Sequence, residues 1–151
     1  WLLMTKLFNS TFEVSLRALL LLSQTTDVNM TIDRLVAYDF ISLYSRHFEL
    51  ADINLHGDNE YGFSELSARR TVMQAALKEL VLDGLTKATR RKDGFCYEIT
   101  DAGATFCQKQ TTDYANTYRQ LARATHKKFK TMTEVEIMAV ISQKATHALR
   151  R

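Results

Sequence analysis

The chain reads as a mainly α fold, a winged helix-turn-helix with a small β-hairpin wing and additional C-terminal helices. Three observations predict it. Its 151 residues contain no proline and only five glycines, so few breakers interrupt long helices. Apolar residues recur at helical spacing behind Ser and Thr caps along most of the length. The one strong hairpin signal, Arg91-Lys92-Asp93-Gly94, falls after three helical segments and before a fourth. That order, helix, helix, helix, hairpin, helix, is the order of a winged helix-turn-helix. The expected organisation is a single domain over 1–151, with a winged-helix core at 10–110 and a helical extension at 111–151.

The first helix starts at the capping box Ser10-Thr11-Phe12-Glu13, where the Ser hydroxyl takes the Glu amide and the Glu carboxylate reaches back. Phe12, Leu16, Leu19, Leu20 and Leu22 make it a core helix ending near Gln24. Thr31 caps the second helix, and Ile32, Leu35, Val36, Phe40, Ile41 and Tyr44 carry it to about Ser45. Residues 46–63 lose the period and contain Gly57-Asp58-Asn59 and Gly62. They form a long loop, of the length that is more often functional than decorative. A compact helix-turn-helix needs only three or four residues there.

A third helix runs from Ser64 or Ser67 to Leu82. Leu66, Met73, Leu77, Leu80 and Val81 share one face, and Arg70, Gln74 and Lys78 stand four apart on the other. Asp83-Gly84 stops it. Strands at Leu85 to Arg90 and Phe95 to Thr100 then flank the basic turn. A helix from Ala102 to Gln110 follows. Another from Asp113 to Lys130 has an apolar stripe, Tyr114, Tyr118, Leu121, Thr125 and Phe129, and a basic one, Arg119, Arg123, Lys127 and Lys130. The second capping box, Thr133-Glu134-Val135-Glu136, opens the last helix through Ile137, Val140, Ile141 and Leu149 to Arg150-Arg151.

Composition and charge narrow the function. With 46% apolar, 10% aromatic and 25% charged residues the chain is ordinary globular protein. Its most apolar stretch, Ala18 to Thr26, is far short of the roughly 20 residues a bilayer needs, so no membrane role and a cytoplasmic location are expected. The net charge of +3 hides a gradient of −4, +2 and +5 over residues 1–60, 61–110 and 111–151, which points to a polyanion or an acidic partner. Cys96 and Cys107 are too few to staple the domain and are expected to be reduced packing residues. His47, His56, His126 and His147 are far apart and lack metal-ligand spacing. Phosphate loop, nucleophile elbow and dinucleotide fingerprint are all missing. The reading is therefore no enzyme, no metal and no cofactor.

What remains is recognition. In a helix-turn-helix the second helix of the motif enters the major groove, where Arg and Gln read base edges and Lys holds phosphate. This makes Arg70, Gln74 and Lys78, with Arg90, Arg91 and Lys92 on the wing, the candidate nucleic-acid-binding residues.

The opening Leu7-Phe8-Asn9-Ser10-Thr11-Phe12-Glu13 with Leu16-Arg17 and Leu19 to Leu22, then Asp33 to Phe40, Ser64-Glu65-Leu66, Ala68-Arg69-Arg70 and Thr112-Asp113-Tyr114-Ala115, resembles the small middle component of ABC-three-component systems, related to Lamassu-type bacterial defence. The chain departs from that pattern at Leu55-His56-Gly57-Asp58, where the family tends to carry prolines. The resemblance implies a non-catalytic subunit beside an SMC-like or Rad50-like ATPase and a separate effector, often a nuclease, acting against phage or plasmids. Such a subunit docks on both, restrains the effector until foreign DNA is sensed, and meets double-stranded DNA in the complex. Arg69, Arg119, Arg123 and Lys127 are the candidate partner-binding residues, with Arg69 and Arg70 reading equally as structural anchors. The alternative is a winged-helix DNA-binding transcription regulator.

Overall fold

In a computed structural model of the chain, the described residues are 10–52, 54–55, 64–92 and 94–149. The expected loop is thus described only in part, and the opening residues, Asp93 and Arg150-Arg151 lie outside. Six helices and a three-stranded antiparallel sheet are present among the described residues: α1 Thr11–Ser23, β1 Met30–Thr31, α2 Ile32–Leu43, α3 Ser64–Leu82, β2 Thr86–Arg91, β3 Gly94–Ile99, α4 Asp101–Gln108, α5 Asp113–Phe129 and α6 Glu134–Leu149.

Local capping sets most of these boundaries. Ser10 Oγ accepts from Glu13 N at 3.3 Å, Thr31 Oγ1 from Arg34 N at 3.2 Å, Thr100 Oγ1 from Gly103 N at 3.1 Å and Thr112 Oγ1 from Ala115 N at 3.1 Å. Each satisfies an amide that the first helical turn leaves without a partner. At α6 the box is reciprocal: Glu136 N donates to Thr133 Oγ1 at 3.2 Å and Thr133 N to Glu136 Oε1 at 3.3 Å.

α1 and α2 form the interior. α1 buries Val14 and the whole run Arg17 to Leu22, and α2 buries every residue from Arg34 to Leu43. α3 packs on both, α5 crosses both, and α6 lies against α2. Phe12, expected in the core, is 74% exposed. Two residues from Val14, it falls on the opposite side of the helix. Val81, expected on the packing face of α3, lies at its rim and is 37% exposed.

The sheet has the order β1-β3-β2. The two-residue β1 was not expected, since so short a strand has no period to read; it pairs Met30 with Tyr97 and Thr31 with Cys96. The hairpin strands start and end one residue away from expectation, with Arg91 opposite Gly94. Leu85 instead closes the junction below the hairpin, its N–H donating to Leu80 O and its carbonyl accepting from Thr100 N. Gly84, at φ +72°, makes the turn out of α3. A Cβ on Gly103 would lie 2.1 Å from Leu85 O and 2.7 Å from Ile99 Cγ1, so only glycine lets α4 approach the hairpin base this closely.

Candidate functional site

The cations singled out in the sequence divide into those the fold engages and those it leaves to solvent. On α3, Arg70 Nε pairs with Asp33 Oδ1 at 2.8 Å near the surface, and that hydrogen bond raises the Arg70 pKa above its ordinary value. Arg69 turns inward: its side chain is 15% exposed, 4.0 Å from Asp39 Oδ2, and its guanidinium lies 5.8 Å from the ring centroids of Phe40 and Tyr44. Gln74 and Lys78 are exposed one turn apart. On the hairpin, Arg90, Arg91 and Lys92 are exposed, while Lys87 is 3.8 Å from Glu98.

On α5 the expected basic stripe is used unevenly. Arg119 donates to Cys107 O at 2.9 Å, to Asn116 Oδ1 at 2.6 Å and to Gln110 O, closing the end of α4. Arg123 Nε donates to Gln24 Oε1 at 3.1 Å and stays exposed. Lys127 and Lys130 are exposed. The set expected to bind partners is therefore dispersed: Arg69 and Arg119 bond inside the fold, and Arg123 and Lys127 face outward.

Two polar clusters, the first buried and the second running out to the surface at Asp27, were not read from the sequence. In the first, Arg17, fully buried, donates from Nε to Asp39 Oδ1 at 2.9 Å, and Tyr118 Oη donates to the same oxygen at 2.6 Å. Tyr114 Oη lies 3.5 Å from the guanidinium. Burial works against the Asp39 carboxylate, yet Arg17, Arg69 and Tyr118 hold its pKa below the usual carboxylate value. Burial pushes the Tyr114 phenol up to about 12 and Tyr118 well above its ordinary value. The signal was a charge inside an apolar run, Arg17 in L-R-A-L-L-L-L and Asp39 in V-A-Y-D-F-I. Such a charge must be paired, but the partner 22 residues away is not specified by periodicity.

In the second cluster His126 Nε2 is 2.6 Å from Asp27 Oδ1 and Nδ1 is 3.0 Å from Tyr38 Oη. The His126 hydrogen bond lowers the Asp27 pKa. Arg34 donates to the carbonyls of Phe129 and Lys130, both at 3.0 Å, capping the end of α5 from α2. Cys96 and Cys107 are buried and form no disulfide, and burial pushes the Cys107 thiol pKa up to about 11. No group of three or more His, Cys, Asp or Glu among the described residues is placed to hold a metal ion, and no helix among them is long and apolar enough to cross a membrane.

A mainly α chain with a three-stranded sheet, a basic hairpin and paired buried charges is the class these features define. Residues 7–151 match the family model of the ABC-three component (ABC-3C) system Middle Component 2, and the chain belongs to that family. It is thus a middle component of a three-component system, as the resemblance of its sequence motifs implied. No curated protein and no solved structure matches it.

Proposed function

We propose that the chain is the non-catalytic subunit of a cytoplasmic, Lamassu-type anti-phage or anti-plasmid complex, docking on an SMC/Rad50-like ATPase and a nuclease-type effector. In this reading it acts as one winged-helix domain that contacts double-stranded DNA within the assembly. The family match over nearly the whole chain carries the proposal. Supporting it, the hairpin cations Arg90, Arg91 and Lys92 and the α3 pair Gln74 and Lys78 reach solvent, available to phosphate and base edges. Arg70, held by Asp33, orients the helix at that face.

Co-expression of the tagged chain with its neighbouring genes tests this. Elution with a large ATPase at physiological salt is expected; elution alone overturns it. The exposed Gln74 and Lys78 on the helix before the hairpin favour a second reading, a DNA-binding regulator. That reading requires sequence-specific binding by the isolated chain, abolished in an Arg70→Ala and Lys78→Ala variant.

A further inference from the structure

The wing does not present its arginines to one surface. Successive residues of a strand point to opposite faces, so Arg90, cross-strand from Phe95, and Arg91, opposite Gly94, face apart. Tyr97 shares the Arg90 side through the Ala88–Tyr97 pair, and it is near enough to Arg70 of α3 to bear on its charge. Arg91, on the other side, lines a cavity of about 250 Å³ together with Thr25, Thr26 and Asn29 of the α1–β1 turn, a cavity that Tyr97 also borders.

That turn leads to α5. Gln24 receives the Arg123 guanidinium, Asp27 holds His126, and Lys130 is close enough to help lower the Asp27 pKa. Arg123, Lys127 and Lys130 recur at four and three residues, so they form one stripe about 10 Å long. The turn between this stripe and Arg91 offers exposed Thr26 and Asn29, and Asp27 is its one carboxylate. Glu98, which also lines the cavity, is engaged by Lys87.

We infer that Arg91, the 24–29 turn and the α5 stripe of Arg123, Lys127 and Lys130 make a second polyanion-binding face, separate from the α3 face, which tracks the phosphate backbone of duplex DNA. The chemistry favours DNA over a protein partner. Protein interfaces centre on large apolar anchors. None of the large exposed apolar side chains among the described residues, Phe12, Val81, Leu82, Phe95, Phe106 and Val135, belongs to the turn or α5. Dispersed cations with neutral hydroxyl and amide groups between them suit a duplex, whose backbone carries one charge per about 1.7 Å of axis. The inference rests on the reading that the chain meets DNA.

Salt dependence of binding to a random-sequence duplex, measured with the full chain, tests it. Removing one phosphate-binding cation lowers the slope of log K against log salt by about 0.9, so Arg123→Ala with Lys127→Ala lowers it by about 2 and Arg91→Ala by about 1. Asp27→Asn tightens binding. These sites are on the surface, so melting temperatures are expected to hold; should a variant lose its cooperative melt, Arg123→Gln and Lys127→Gln replace it. An unchanged slope in the α5 variants, with a drop in Arg90→Ala and Lys78→Ala, overturns this face and leaves DNA contact by α3 standing. Salt-independent or absent binding by the unaltered chain overturns both. Failure of the α5 variants to co-elute with the neighbouring subunits, with the DNA slope intact, shows a protein-docking face and overturns the proposal.

Discussion

The interior around Asp39 and the hairpin tip both concentrate charge, yet they use it in opposite ways. Around Asp39, groups from three helices converge on a carboxylate of a fourth: Arg17 from α1, Arg69 from α3 and Tyr118 from α5 meet Asp39 of α2. At the hairpin tip Arg90, Arg91 and Lys92 reach water. Counting basic residues treats the two regions alike. Their environments separate them: a desolvated charge is retained only when paired, whereas a solvated one is available to a ligand at little cost.

Breaking the interior cluster has the largest expected effect. Asp39→Ala leaves Arg17 buried without its anion and should destabilise the chain by about 3–5 kcal/mol, seen as a lower midpoint in urea unfolding. Replacing Arg17 and Asp39 together by Met and Leu removes both charges and should cost far less. The same carboxylate sets an acid limit. Its folded pKa lies below its unfolded value, so its contribution is present above the ordinary carboxylate range and lost as pH falls through the folded value. An Asp39→Asn variant should show a flatter dependence of melting temperature on pH in that range.

Next comes the junction between the two regions. Gly103→Ala drives a Cβ into the Leu85 carbonyl, and overpacking of this kind costs about 1–3 kcal/mol; a melt as stable as the unaltered chain's would show that the hairpin base yields. Thr112→Ala removes one cap and should cost about 1 kcal/mol. Lys127→Ala, on the solvated side of the comparison, should stay within about 0.5 kcal/mol in unfolding while weakening DNA binding, which is the sharpest contrast with Asp39.

What could be read in advance follows the range of the interactions. The caps at Ser10, Thr31 and Thr133 and the stop at Gly84 depend on neighbours within a few residues, so the starts of α1, α2 and α6 and the end of α3 were legible. The hairpin was found one residue out because Leu85 and Thr100 bond to each other outside the ladder. The candidate site was less legible. Arg119 stood in a solvent-facing stripe by periodicity, but the carbonyls left by the end of α4 captured it. Arg69, three residues after Leu66 and four before Met73, stands on the packing face of α3 by spacing, and Asp39 together with the Phe40 and Tyr44 rings receives it there. Partners on other helices settled both, and no local pattern names them.

The Arg34 clamp on the last carbonyls of α5 bears on how the molecule opens. Because Thr31 of the β1–α2 corner also bonds Glu134 in the first turn of α6, the corner between α5 and α6 is fastened to the start of α2 from both sides. Amide hydrogens at the end of α5 and in the first turns of α2 and α6 should therefore exchange as one cooperative unit rather than fray helix by helix.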